Sequence, residues 1–179
     1  MTTDTGPAPF STARLDAEPL RVAHADEMAT VLDDPALHTF TGGVPEDAET
    51  LRARYARQTA GSPDPEELWW NWVLRVRGED RLAGYVQATV RGTQAEVAWV
   101  IGAGWQGRGF AKEAAVGLVA HLWDAGVLRT VAHIHPEHAA SAAVAAAAGL
   151  MPTGEWEDGE ERWRRDTPAS SGSSVAGRA

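Results

Sequence analysis

The stretch from Val97 to Ala114 constrains this chain more than any other. An apolar run, Val97 to Ile101, meets a turn rich in glycine, with Gly102, Gly104, Gly107 and Gly109, and the turn opens an amphipathic helix starting at Phe110. The first N–H groups of a helix have no partner inside it, and the helix dipole adds partial positive charge there. Gly107 and Gly109 can adopt positive φ, which lets successive amides converge on an anion. Arg108 and Lys112 bring cationic charge close by. The segment therefore reads as a cradle for a phosphate or pyrophosphate. It is not a Walker loop, because the Gly-Lys-Ser/Thr ending is missing. Gly102, Gly104 and Gly107 match the Gly-x-Gly-x-x-Gly dinucleotide spacing literally, but the antiparallel strands expected before them argue against that fold. A glycine loop used only for tight packing is the plain alternative.

The rest of the pattern surrounds this unit. Leu20 to Val22 reads as a short opening strand and Ala25 to Leu32 as a helix with Met28, Val31 and Leu32 on one side. Glu46 to Thr59 reads as a second helix following Pro45. Trp70 to Arg77, Arg81 to Val90 and Ala95 to Ile101 form an expected antiparallel meander turning at Gly78-Glu79-Asp80 and Arg91-Gly92-Thr93. The helix Phe110 to Asp124 carries Ala111, Ala114, Ala115, Leu118, Leu122 and Trp123 at helical spacing and ends before Gly126. Arg129 to His135 is a further strand, Ala139 to Ala148 a helix of small residues, and Leu150 to Trp156 with Glu161 to Arg165 a final hairpin around Asp158-Gly159. The fold class is α+β with a mixed, mainly antiparallel central sheet flanked by helices. Residues 1–17 read as a flexible arm, 18–166 as one domain and 167–179 as a low-complexity tail.

Composition excludes several functions. The formal net charge of −9 lacks the basic footprint that nucleic-acid binding requires. It suits a cationic or amine-bearing partner better. The chain has no cysteine, which removes thiol nucleophiles, disulfides and cysteine zinc sites and fits a reducing cytoplasm. No apolar run approaches the roughly 20 residues that span a bilayer, so no membrane role is expected. Residues 1–10 have no signal-peptide pattern. A cytoplasmic monomer or homodimer is the expectation.

Gln106-Gly107-Arg108-Gly109-Phe110-Ala111 resembles the Gln/Arg-x-x-Gly-x-Gly/Ala acetyl-CoA motif of the GNAT superfamily of N-acyltransferases. Lys112-Glu113-Ala114 resembles its usual continuation. His135 to Val144, closing at Ala148-Gly149-Leu150, resembles the second motif, with His138 where relatives often have Asn. Gly84-Tyr85-Val86 resembles the family's central hairpin. The likeness runs from Leu20 to Arg165 and is nearest to the branch of ribosomal-protein N-terminal and small-molecule acetyltransferases. It implies a fourth strand, Val97 to Ile101, splayed from the fifth, with acetyl-CoA in the gap. Trp99, Val100 and Ile101 would then meet the pantetheine arm. Gln106, Gly107, Arg108, Gly109, Phe110, Ala111 and Lys112 would meet the pyrophosphate, and His138 and Ser141 would also contact the cofactor.

Acyl transfer needs a neutral amine and a proton for the leaving thiolate. Glu96 is the candidate base, on the expectation that burial tunes it. Relatives often use a Tyr in the helix after the fifth strand. Here the only tyrosines are Tyr55 and Tyr85, so Ser141 or water is the candidate acid. Trp70, Trp72, Gln87 and Trp99 are the candidate acceptor-binding residues, the indoles as an aromatic wall for an amine, and Asn71 lies near them. Trp packing in the core is the plainer reading of each indole. The segment Thr39 to Val44 and the second helix border the acceptor site in relatives. His133, His135 and His138 are spaced as metal ligands could be, but the same stretch matches the acyltransferase motif, so no metal is expected. Glu155, Glu157, Asp158, Glu160 and Glu161 form an acidic cluster, either a solvated turn or an attractor for a polycation. The expected activity is direct acetyl transfer from acetyl-CoA to a primary amine of a small molecule or a protein N-terminus. A non-catalytic CoA sensor, a transferase of another acyl group and a nucleotide-binding oxidoreductase are the alternatives.

Overall fold

The computed structural model describes residues 6–168. The tail expected from residue 167 falls outside them from 169 onward, as do residues 1–5 of the expected arm. Eight strands form one sheet: β1 (Phe10–Ser11), β2 (Leu15–Pro19), β3 (Glu67–Val76), β4 (Arg81–Arg91), β5 (Gln94–Ile101), β6 (Arg129–Ile134), β7 (Met151–Glu157) and β8 (Glu160–Asp166). The sheet order is β1-β2-β3-β4-β5-β6-β8-β7. Every neighbouring pair is antiparallel except β5 and β6. Four α-helices flank it: α1 (Ala25–Val31), α2 (Ala48–Ala60), α3 (Phe110–Asp124) and α4 (Ala139–Ala147). The α+β class with a mixed, mainly antiparallel sheet is the one expected.

Alternation along the strands sorts side chains to two faces. Trp72, Val86 and Val97 share one core with Phe110, Ala114, Leu118 and Leu122 of α3 and with Val144 and Ala145 of α4. Val73 and Leu82 share the other with Ala25 and Met28 of α1 and with Leu51 and Tyr55 of α2. The helix ends follow local chemistry. The Asp47 side chain accepts the Thr50 N–H at 2.8 Å and so caps α2, two residues later than the start expected from Pro45. Asp158 and Gly159 both have positive φ, the turn geometry a tight hairpin of this twist requires.

The opening of the chain differs from expectation. The first long strand is Leu15–Pro19, and Val22–His24 is already a 3₁₀ turn leading into α1. Leu15 and Ala17 point inward and are 1% and 2% exposed, alternating with Asp16 and Glu18. The period-two signal was carried by a small residue, Ala17, and so was faint. Residues 10–17 thus belong largely to the sheet and not to an arm. Phe10 packs edge-on against Trp72, with centroids 5.6 Å apart, and stacks on His121 at 4.8 Å.

One irregularity shapes the sheet centre. The parallel pairing of β5 with β6 covers only Gln94, Ala95 and Glu96, opposite Arg129, Thr130 and Val131. The pairing of β5 with β4 continues to Ile101 opposite Gly84. A Cβ on Gly84 would lie 2.1 Å from the Val100 carbonyl oxygen. Glycine at this position lets β5 lean onto β4 and away from β6, and a gap opens beside Val97 to Ile101.

Candidate functional site

The gap leads to the start of α3. Gly107 and Gly109 have φ of 76° and 82°, the left-handed region that glycine occupies without strain. Gly109 is the N-cap of α3, and no side chain caps the helix. Glu113 is the first residue whose N–H turns back into the helix, onto the Gly109 carbonyl at 3.1 Å. The amides of Phe110, Ala111 and Lys112 therefore face outward from a helix of fifteen residues. An uncapped helix start behind two left-handed glycines is the donor set that a diphosphate fits. The gap beside β5 gives a linear arm an open strand edge to follow. The residues present thus fit the expected coenzyme.

Some motif side chains act differently from expectation. The Arg108 guanidinium sits 2.5 Å from Glu79 and covers the Trp105 and Phe110 rings, at 5.2 Å and 4.8 Å from their centroids. Its charge is shared with an acid and is not aimed freely into the cradle. Gln106 donates through Nε2 to the Ile101 carbonyl at 3.0 Å, so it secures the end of the open strand. Lys112 is exposed on the first turn of α3.

Sequence reasoning missed Arg14. Its Nε donates to Glu113 at 2.7 Å, its backbone N–H donates to the same carboxylate at 2.7 Å, and its Nη1 donates to the Arg108 carbonyl at 2.9 Å. Thr12 adds a hydroxyl donor to Glu113 at 2.6 Å. Burial alone would raise the Glu113 pKa, but these donors outweigh it and hold the group below its ordinary value. The turn between β1 and β2 thereby clamps the glycine loop to α3. Arg14→Ala is expected to weaken coenzyme A binding by about 10-fold, about 1.4 kcal/mol. Calorimetry against CoA checks this, with fluorescence melting as the control for folding.

The opposite face of the gap holds a different set. Register places Trp72, Val86 and Trp99 in one row and Asn71, Gln87 and Ala98 in the next. Trp70, Trp72 and Trp99 therefore face α3 and α4, while Asn71, Tyr85, Gln87 and Glu96 face α1 and α2. The four residues expected to bind the acceptor together are split between the two faces. Trp72 is 0% exposed, its ring packs on Phe10, Trp70 and His121, and its indole N–H donates to the Ala8 carbonyl at 2.8 Å. It is a core residue. Trp70 and Trp99 are half-buried against the same core. Of the four, Gln87 and Trp72 line the polar cavity of about 240 Å³, Trp72 while its indole packs in the core, together with Leu20, Asn71, Arg54, Gln58, Tyr55 and Tyr85. A smaller hollow of about 50 Å³ adjoins it through Arg54 and Tyr85 and reaches Leu37, His38, Thr41, Glu46 and Val100. The loop before α2 and α2 itself thus border these cavities.

Glu96 stands where the gap begins. Its side chain is 56% exposed, so the burial expected of it is absent. Instead its Oε1 lies 2.9 Å from Nδ1 of His133, whose Nε2 lies 3.4 Å from Glu157. His133 therefore works between two carboxylates, apart from the other two histidines. Phe40 packs against both of those, 5.2 Å from His135 and stacked on His138 at 4.3 Å. Burial, more than any other influence, lowers the His138 pKa, so its ring is neutral near pH 7. Its Nδ1 accepts the Ser141 N–H at 3.2 Å, and Nε2 lies 3.2 Å from Ser141 Oγ. That network assigns the ring proton to Nε2, which donates to Ser141 and leaves the serine O–H free to donate elsewhere. The acidic hairpin is partly neutralised, with Glu155 3.0 Å from Arg162. Among the described residues, no helix is long and apolar enough to cross a membrane.

Comparison with known proteins agrees with this geometry. The sequence model described as an acetyltransferase (GNAT) domain matches residues 14–151, so the match begins in the β1–β2 turn. An acetyltransferase of the GNAT family from Bacillus anthracis superposes with a TM-score of 0.72 at 17% identity, covering 88% of this chain and 96% of that one. An acetyltransferase from Agrobacterium tumefaciens gives 0.70 at 23% identity, over 89% and 95%. Mycobacterium smegmatis RimJ, solved in complex with CoA-disulfide, gives 0.76 at 16% identity, over 91% and 89%. No curated protein matches the sequence significantly. Glycine cradle, splayed strand pair and a domain match across most of the sheet converge on one conclusion: this chain belongs to the GNAT family of acetyltransferases.

Proposed function

We propose that the chain transfers an acetyl group directly to a primary amine of a small molecule or a peptide N-terminus. The observation that carries this reading is the pairing of an uncapped, glycine-cradled helix start on one face of the sheet with a polar cavity on the opposite face. Acetyl-CoA, the acetyl donor of GNAT acetyltransferases, supplies an activated thioester when bound. The amides of Phe110, Ala111 and Lys112 would hold the diphosphate, and the open edge of Val97 to Ile101 would offer N–H and C=O groups to the pantetheine arm. An amine loses its proton to Glu96, directly or through water, and His133 steadies the carboxylate. The nitrogen would then displace the thiolate from the acyl carbon; the Ser141 hydroxyl, at the start of α4, would supply the proton to the departing sulfur and regain one from the acylated nitrogen. With no cysteine in the chain, attack by the amine itself is the simplest course.

The exposure of Glu96 favours a second reading, a domain that binds CoA without turnover. Thiol release from acetyl-CoA across amino acids, polyamines, aminoglycosides and peptides separates the two. Amine-dependent release is expected, and Glu96→Gln should lower kcat/KM by about 100-fold. Tight CoA binding with no release from any amine supports the second reading instead.

A further inference from the structure

We infer that the amine acceptor also carries a carboxylate and that Arg54 is the residue that selects it; this rests on the acetyltransferase reading above. A chain with a net charge of −9 is expected to gather cations. The cavity is built in the opposite sense. Of the residues lining its 240 Å³, Arg54 is the only one with a formal charge. The other polar groups are neutral: the amides of Gln58, Asn71 and Gln87 and the phenols of Tyr55 and Tyr85. Burial pushes the Tyr55 phenol up to about 12 and raises that of Tyr85, so both keep their protons and remain donors at neutral pH. No acid lines this cavity.

Arg54 is fixed without being used up. Its Nη1 lies 2.5 Å from Glu46, which lines the neighbouring hollow and not this cavity. Its buried Nε has no hydrogen-bond partner among the described residues. A guanidinium offers five N–H donors, and one carboxylate engages two at most. The pairing with Glu46 holds the fork in place and leaves donors over. A wall of amides and phenols able to donate, around one pre-positioned guanidinium, complements a carboxylate, whereas an ammonium there would meet a cation whose one acid, Glu46, lines the neighbouring hollow. Gln87 and Asn71 on the cavity wall lie on the same face of the sheet as Glu96, two residue rows along, so an amine on the same small molecule would extend along that face toward Glu96. Free amino acids and peptides with an acidic residue near the N-terminus have this chemistry.

The test is calorimetry on the CoA-saturated protein with matched pairs: amino acids and N-acetyl amino acids, each as the free acid and as the carboxamide. At least one free acid should bind about 10-fold or more tightly than its amide. Arg54→Gln should erase that preference while leaving the affinity for CoA unchanged, and Arg54→Lys should restore part of it. Should Arg54→Gln unfold because Glu46 loses its partner, the double variant Glu46→Gln with Arg54→Gln removes both charges together and carries the same expectation. Acids and amides binding equally, a preference that survives Arg54→Gln, or no acid binding to protein that does bind CoA each overturns the proposal and leaves the acetyltransferase reading standing. Failure to bind CoA at all overturns that reading instead.

Discussion

Gly109→Asp is expected to weaken coenzyme A binding by about 100-fold, about 2.7 kcal/mol, while the protein stays folded. Gly109 caps α3 with φ at 82°. An aspartate here has two effects of different size. The left-handed backbone costs roughly 1–2 kcal/mol for a residue with a Cβ, partly offset because a carboxylate at a helix start is favourable. The Cβ itself meets only the end of a flexible side chain, Arg14 Nη2 at 3.4 Å. Melting should therefore shift by only a few degrees. Against the coenzyme the same carboxylate is doubly harmful. It competes for the amides of Phe110, Ala111 and Lys112, and it places negative charge beside a diphosphate. Calorimetry with CoA and a melting curve on the same sample check both halves. An aspartate variant with unchanged CoA affinity would remove the α3 start from the cofactor site.

Trp72→Ala should lower stability by about 3–5 kcal/mol and leave CoA affinity unchanged below the melting transition. The indole is the largest fully buried side chain among the described residues and closes the core between Phe10, Trp70 and His121. Its loss leaves a cavity where β1, β3 and α3 meet and strands the Ala8 carbonyl without its donor. At about 2–4 °C per kcal/mol for a chain of this size, the melting temperature should fall by about 6–20 °C. Thermal melting followed by near-ultraviolet circular dichroism measures this directly. The result also separates two roles for the residue: an acceptor wall would raise the acceptor KM with little change in melting, and a core residue does the reverse.

Much of the fold was legible because its signals are local. The helix Phe110 to Asp124 and the meander strands fall within a few residues of where periodicity put them, and Asp158-Gly159 turns as its backbone preferences dictate. The family was legible because Gln106 to Ala111 encodes a backbone shape, and backbone shape depends on the glycines in the local sequence. The first strand was less so, since Ala17 contributes little hydrophobic signal although it is wholly inside.

The candidate site divides along the same line. The sequence alone determined the cradle: glycines ahead of a helix expose amides wherever that helix packs. Tertiary structure decided which side chains share a face and which charges pair, because both depend on contacts between residues far apart in the chain. It moved Trp72 into the core, committed Arg108 to Glu79, brought Arg14 across 99 positions to Glu113, and set His133 against Glu96. It also placed a guanidinium, Arg54, tied to Glu46 on its far side, in the wall of an otherwise uncharged cavity within a strongly acidic protein, since net charge is a property of composition and the charge of a cavity is a property of packing.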